Sequence, residues 1–173
     1  MLENNKKYIL VGLVDARSMT RNEFRQRMKN ASKNSWLSMN TSVKELLNNQ
    51  TIHEEEGYLV QIGKTEHWFP KKDFEKMSIL VQDNDSLPSE INVGQDMIND
   101  MVESYTTIRL GRKTVSVVGI LRNGYEIIES TGCVDDRNVE VDVCQNICKE
   151  RLNDKVKDYL GFLLQTAWHG IRK

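Results

Sequence analysis

Apolar residues are distributed along the chain in two patterns. Short β-branched runs bounded by polar or turn-forming residues predict buried strands, and apolar positions three and four apart predict helices that cover them. The first run, residues 8–14 (YILVGLV), predicts a strand closed by a DARSMT turn. A helix should follow, since Thr20 and Glu23 stand at capping-box spacing and Phe24 and Met28 form an i, i+4 apolar pair. Residues 30–50 are rich in Asn and Ser, with TSVKELLNN as a short helix candidate. The stretch EEEGYLVQIGKTEHWFPKKDFEKM then predicts a β-β-α unit, with a turn centred on Gly63 and a short helix opened by Pro70.

Residues 82–94 (QDNDSLPSEINVG) lose this periodicity and have the composition of a linker. Beyond them, QDMINDMVESY places Met97, Ile98, Met101 and Val102 on one helical face. The stretch TVSVVGILRNGYEIIES is two β-rich runs around Asn123-Gly124, a dipeptide suited to the two positive-φ positions of a type I′ hairpin turn. From Asn138 onward a helical stripe runs through Val143, Cys144, Ile147, Cys148, Leu152, Val156, Tyr159, Leu160, Leu163, Leu164 and Ala167. The expected class is α+β: a small N-terminal α/β module over residues 1–82, a linker over 83–94, and a helix–β-hairpin–long-helix domain over 95–173. One hairpin under one helix buries little, so a homo-oligomer assembled through the long helix is expected.

At 173 residues and 39% hydrophobic content the chain can bury a core without covalent staples. A net charge of -1 argues against holding long nucleic acid on a broadly basic surface. Three cysteines, an odd number, and no signal-peptide pattern in MLENNKKYILVGLVD point to a reducing cytoplasm. No apolar stretch approaches the roughly 20 residues that span a bilayer, so no membrane association is expected.

Candidate chemistry is sparse. Cys144 and Cys148 could face one metal, but His53, His67 and His169 do not stand at ligand spacing from them, and no metal is expected. Cys133 has no base paired with it in sequence, and Asp135 and Asp136 precede a helix, where they read better as caps than as a catalytic pair. Gly-rich phosphate loops, H-E-x-x-H and G-x-S-x-G do not occur, so neither enzymatic activity nor a cofactor is expected. The remaining polar groups suit an anionic, ring-bearing ligand. Arg109, Arg112, Lys113, Arg122 and Arg137 can take phosphates, Tyr125 offers a stacking face, and Asn123 and Asn138 can pair with base or ribose edges. The same residues also read as solvated turn charges.

The stretch TVSVVGILRNGYEIIESTGCVDDRN, followed by ICKERLNDKVKDYLGFLLQ, resembles a domain family of small tailed-phage accessory proteins. That family is patterned as strand, N-G-aromatic, strand, C-V-D-x-x-N and a helix ending near L-x-G-aromatic-L-L. Within it the chain is similar to the first-described Thoeris anti-defence sponges, which sequester cyclic ADP-ribose isomers made by bacterial TIR-domain enzymes, some also holding cyclic trinucleotides. Asp136 stands where the family usually has Pro, and Tyr125 where Phe is commoner. MTRNEF, EEEGYLV and HWFPKKDFEKM resemble a second module common in phage genes.

The resemblance implies a non-enzymatic protein of the host bacterial cytoplasm that binds a cyclic ADP-ribose isomer or cyclic oligonucleotide. Its expected pocket gathers Arg109, Arg122, Asn123, Tyr125, Asp135, Arg137, Asn138 and Arg151. Tyr125 would stack a base, Arg122 and Arg109 neutralise phosphates, and Asn123, Asp135, Arg137 and Asn138 fix ribose or base edges, with Arg151 contributing from the helix. The alternatives are a phage module that binds a host or phage protein, and a weak hydrolase using Cys133 or Asp135.

Overall fold

In the computed structural model, which describes residues 11–31, 55–83, 86–88 and 91–171, the first strand forms later than the apolar run implies. β1 is Asp15–Thr20, the segment expected to turn, and residues 11–14 have no regular structure. Residues 8–10 and the TSVKELLNN candidate lie outside the described residues. Most of β1 is solvent-exposed, so its own side chains do not hold it in place. Pairing does: Asp15 lies opposite Gln61 and Thr20 opposite Glu56 on β2, Glu56–Ile62. β2 pairs in turn with β3, Thr65–Pro70, across a two-residue loop in which Gly63 takes a φ of 61°.

Among the described residues, two helices flank this three-stranded antiparallel sheet. α1, Arg21–Ala31, opens with the expected capping box: the Thr20 N–H donates to Glu23 Oε2 at 2.8 Å, and the Glu23 N–H donates to Thr20 Oγ1 at 3.3 Å. Arg21 lies over the Trp68 ring at 5.4 Å, and Arg27 forms a two-point ion pair with Glu66, so α1 faces the side that carries Leu59 and Trp68. α2, Lys71–Met77, with Pro70 as its N-cap, faces the opposite side, where Phe74 meets Tyr58 at 4.7 Å and Phe69 at 6.3 Å. These elements belong to one compact unit, Leu13–Ile79, and the chain from Leu80 onward belongs to a second.

In the second unit, β4 (Gln82–Asp83) and β5 (Ile91–Asn92) pair as a short ribbon inside the stretch read as a linker. α3, Gln95–Met101, buries Met97 and Ile98 and stops one turn earlier than its sequence pattern suggests. The chain passes directly into a strand the sequence did not reveal, β6, Val102–Arg109. β6 pairs with β7, Thr114–Leu121, and β7 with β8, Glu126–Gly132, so the expected hairpin is the second half of a three-stranded antiparallel sheet. The hairpin turn also differs from a two-residue type I′ turn. Leu121 N–H donates to Tyr125 O and Gly124 N–H to Leu121 O, which closes a three-residue loop in which Gly124 has a positive φ of 79°.

α4, Val141–His169, lies along β7 and β8 and begins at the same end of the sheet as β7. Its buried line is Cys144, Cys148, Leu152, Val156 and Leu160, one residue per four, facing Val115, Val117, Gly119 and Leu121. Tyr105 on β6 donates its hydroxyl to Asn153 on α4 and holds the helix over the third strand. No helix among the described residues is long and apolar enough to cross a membrane.

The Trp68 ring lies directly over Gly57, where a Cβ would come within 2.4 Å of it and 2.3 Å of the Phe69 carbonyl oxygen. Gly57→Ala is expected to destabilise the N-terminal unit by about 1–3 kcal/mol, the usual cost of overpacking. Chemical denaturation followed by tryptophan fluorescence checks this.

Candidate functional site

The three strands give the second unit two distinct ends. β7 spans eight residues, so its ends are about 24 Å apart. Arg122, Asn123 and Tyr125 stand at the turn end, beside Met101 and the start of β6. Arg109, Arg112, Lys113 and the corner Cys133–Asn138 stand at the other end, where β6 leaves the sheet and β8 runs toward α4. The expected single pocket is therefore divided. A strand of seven residues separates Tyr125 from the CVDDRN corner, and an extended strand carries its two termini apart rather than together. Arg151 sits between the two ends, donating to the Ser130 carbonyl at 3.3 Å.

At the corner, the basic groups are engaged by the two loops that meet there. Arg109 donates from Nε to Gly111 O at 3.1 Å and from Nη2 to Arg112 O at 2.8 Å, stapling its own turn. Lys113 Nζ donates to Val134 O at 2.5 Å. The Arg137 fork grips Asp135, and Arg112 pairs with Asp136 at 3.3 Å. Asp135 is a cap, but of the single 3₁₀ turn Asp136–Asn138, accepting from the Arg137 N–H at 2.9 Å, and not of the long helix. Asn138 takes part through its backbone, as its N–H donates to Asp135 O and its O accepts from the Cys133 thiol. The start of α4 beside this corner carries Glu140 as N-cap and Asp142 in its first turn, so carboxylates stand at its positive dipole end.

At the turn end a concave apolar site opens. It has a volume of about 350 Å³ and is lined by Met101, Leu121, Asn123 and Tyr125 from the sheet side and by Val156, Tyr159, Leu160, Phe162 and Leu163 from α4. Tyr125 and Tyr159 meet edge to face, with ring centroids 6.1 Å apart and planes at 81°. Both rings are open to solvent, at 56% and 46%, and Phe162 is 76% exposed. Arg122 is at the base of the same turn. Its guanidinium pairs with Asp100 on α3, and its N–H donates to Met101 O. Asn123 is used locally, its Oδ1 accepting from the Tyr125 N–H at 3.0 Å and leaving the amide NH₂ as its donor.

Sequence reasoning found Arg122, Asn123 and Tyr125 but placed Tyr159 and Leu163 on the packing stripe and passed over Met101 and Phe162 as site residues. The signal was helix length. Twenty-nine residues make about 43 Å of helix, far more than the sheet needs, so the last turns of α4 overhang it.

Residues 93–168 match the family described as Phage protein (N4 Gp49/phage Sf6 gene 66). The matched span takes in α3, the three-stranded sheet and nearly all of α4, so the part of the chain that forms the groove is similar to a family of phage proteins. Neither the curated proteins nor the solved structures contain a match to the chain.

The hydrogen bond from the Arg137 side chain, with that from its backbone N–H, holds the Asp135 carboxyl below its ordinary range. A lowered carboxyl pKa means that the contact is complete above the ordinary aspartate range and is lost as pH falls through the lowered value. Arg137→Ala should move the Asp135 midpoint back toward the ordinary range, read by NMR titration of the carboxyl carbon. An unchanged midpoint would show that the pair does not hold in solution.

Proposed function

We propose that this protein is a phage accessory protein that binds and sequesters a cyclic nucleotide immune signal, a cyclic ADP-ribose isomer or a cyclic oligonucleotide, without degrading it. The observation that carries the reading is the solvent-open Tyr125 ring, fixed edge-on against Tyr159 above an apolar site of about 350 Å³. Small-molecule sites begin at roughly this size and are mostly apolar with a few placed polar groups. Here those groups are the Asn123 amide and, on the rim, Arg122. Arg122 is partnered by Asp100, but an exposed ion pair is worth about 0–1 kcal/mol, whereas a charge-assisted bond to phosphate is worth about 1.5–3. Exchanging one for the other is favourable. The sequence resemblance to anti-defence sponges supports the ligand class, and the match to a phage protein family supports the phage accessory part of the reading.

The reading assigns the ligand to the turn end: Tyr125 stacks the base, Arg122 meets a phosphate and Asn123 an edge. Arg109, Asp135, Arg137 and Asn138 belong to the same ligand only if a second copy presents its corner to this groove, since one chain holds the two ends about 24 Å apart. A homo-oligomer built through the overhanging part of α4 would do this. It would also cover Phe162, whose exposure equally favours the alternative of a protein partner docking on the groove.

Calorimetry with cyclic ADP-ribose isomers and cyclic trinucleotides tests the assignment. Base stacking is worth about 1–3 kcal/mol, so Tyr125→Ala should weaken binding roughly tenfold to a hundredfold. Arg122→Ala should do the same. The ligand should be recovered intact after heat denaturation, and its breakdown would favour the hydrolase reading. No heat with any cyclic nucleotide, and no rise in melting temperature, would leave the protein-docking alternative. In an oligomer that shares sites, mixing Tyr125→Ala and Arg137→Ala chains should restore part of the affinity that each lacks alone.

A further inference from the structure

The corner end holds a second chemical feature that the ligand reading does not use, a pair of thiols stacked between sheet and helix. The Cys148 thiol reaches the Val115 carbonyl at 3.9 Å, which fixes the height at which α4 passes over β7. Val115 lies opposite Thr131, and the Cys133 N–H donates to Lys113 O at 3.0 Å, so Cys133 continues the ladder two residues beyond Thr131. It therefore lies on the same face as Thr131, about 7 Å along the strand from the Val115 contact. Cys144 lies one helical turn before Cys148, about 6 Å back along α4 in the same direction. The two steps are nearly equal, and they bring the Cys144 side chain over that of Cys133. The environments agree. Burial raises the Cys144 pKa first, and contact with the Cys133 thiol raises it further. Cys144 is buried and Cys133 half-buried, so one member of the pair is open to a small oxidant and the other is shielded.

We infer that Cys133 and Cys144 are an oxidation site that closes to a disulfide and pins the CVDDRN corner to the first turn of α4. Peroxide is the co-reactant. The Cys133 thiolate attacks one peroxide oxygen, the O–O bond breaks, and Cys133 becomes a sulfenic acid as the first water leaves. The Cys144 sulfur then attacks the Cys133 sulfur, the S–O bond breaks, and the hydroxyl leaves with the Cys144 proton as a second water. Two thiols have lost two hydrogens and the peroxide has been reduced to two waters. A disulfide needs side chains that already meet, and those of Cys133 and Cys144 do, one turn from the close contact of Cys148 with Val115. The closed ring runs from Cys133 to Cys144 and encloses Asp135, Asp136, Arg137 and Asn138, so oxidation would stiffen the polar end of the sheet and leave the aromatic groove at the far end untouched. A thiol reductant would reopen it.

The experiment treats the full-length protein with one equivalent of hydrogen peroxide, alkylates it unfolded without reduction, and maps peptides with fragmentation. The expected product is a Cys133–Cys144 bridge within one chain, with Cys148 alkylated and the intact mass lower by two hydrogens. Cys148→Ser should still form the bridge, and Cys144→Ser should leave Cys133 trappable as a sulfenic acid by a dimedone probe. Amide exchange across residues 134–138 should slow severalfold in the oxidised protein and recover with dithiothreitol. A bridge to Cys148, a bridge between chains, or Cys133 passing to sulfinic acid while Cys144 stays free would overturn the site. A bridge that forms with unchanged amide exchange would overturn the pinning. The wild-type map decides the site even if a serine variant fails to fold.

Discussion

The closeness with which α4 packs against β7 governs the rest of the C-terminal unit. The contact is a line of residues spaced by four, and its first members are small: Cys144 and Cys148 on the helix, with Gly119 opposite Leu152 on the strand. A Cβ at Gly119 would meet Leu152 at 3.6 Å and Tyr105 at 3.7 Å, ordinary contact distances, so helix and strand leave room there for one methyl group. Small residues let the helix settle low along β7 and β8. Its direction then fixes everything at the ends. The corner end receives the helix start with its carboxylates and thiols, and the turn end receives a helix that has run out of sheet and overhangs it as an aromatic wall.

Elements held by their own side-chain pattern were readable from the sequence. The capping box at Thr20 and Glu23, the β-β-α unit through Phe74 and the long stripe of α4 all appear where periodicity places them. Among the described residues four strands escaped: β4 and β5 are two residues each, too short to show a period, while the longer β1 and β6 share a physical cause. Each is an edge strand with mostly exposed or polar side chains, DARSMT and VESYTTIR, held by backbone bonds to the neighbouring strand, β2 far along the chain for β1 and β7 across the short loop 110–113 for β6. Nothing in such a segment alternates strongly enough to announce it, and at β6 the helical face of Met97, Ile98 and Met101 simply ran on into Val102. The hairpin stands where the Asn-Gly dipeptide places it, but its loop is one residue longer than the dipeptide suggests, since Leu121 pairs with Tyr125 across it.

The site was half readable for a related reason. Chemistry-bearing residues near each other in sequence are not thereby near each other in space: the residues from Tyr125 to Cys133 are mostly one strand, the element that separates its termini most per residue. The sequence also could not show which charges were already engaged. Arg109, Lys113 and Arg137 look available in RLGRK and DDRN, and all three turn back onto local carbonyls or carboxylates. Residue type reveals that an arginine can grip a phosphate. Only the loop's fold reveals whether it is gripping something else.

What distinguishes the turn end is how little must change there before a ring can bind. Tyr125 has its backbone fixed on both sides, its N–H donating to Asn123 Oδ1 and its carbonyl accepting from Leu121. Its ring is steadied by the edge contact with Tyr159, which in turn belongs to a helix anchored by Val156 and Leu160 beneath. An aromatic platform that is already ordered does not lose about 0.5–1.5 kcal/mol of side-chain freedom when a ligand arrives, and in a site of this size that saving is comparable to the stacking energy itself. The corner is the opposite case, because an anion entering it must displace Asp135 from Arg137 and approach Glu140 and Asp142 at the helix start. Preorganisation and charge therefore point the same way, toward the groove that hairpin and overhanging helix form together.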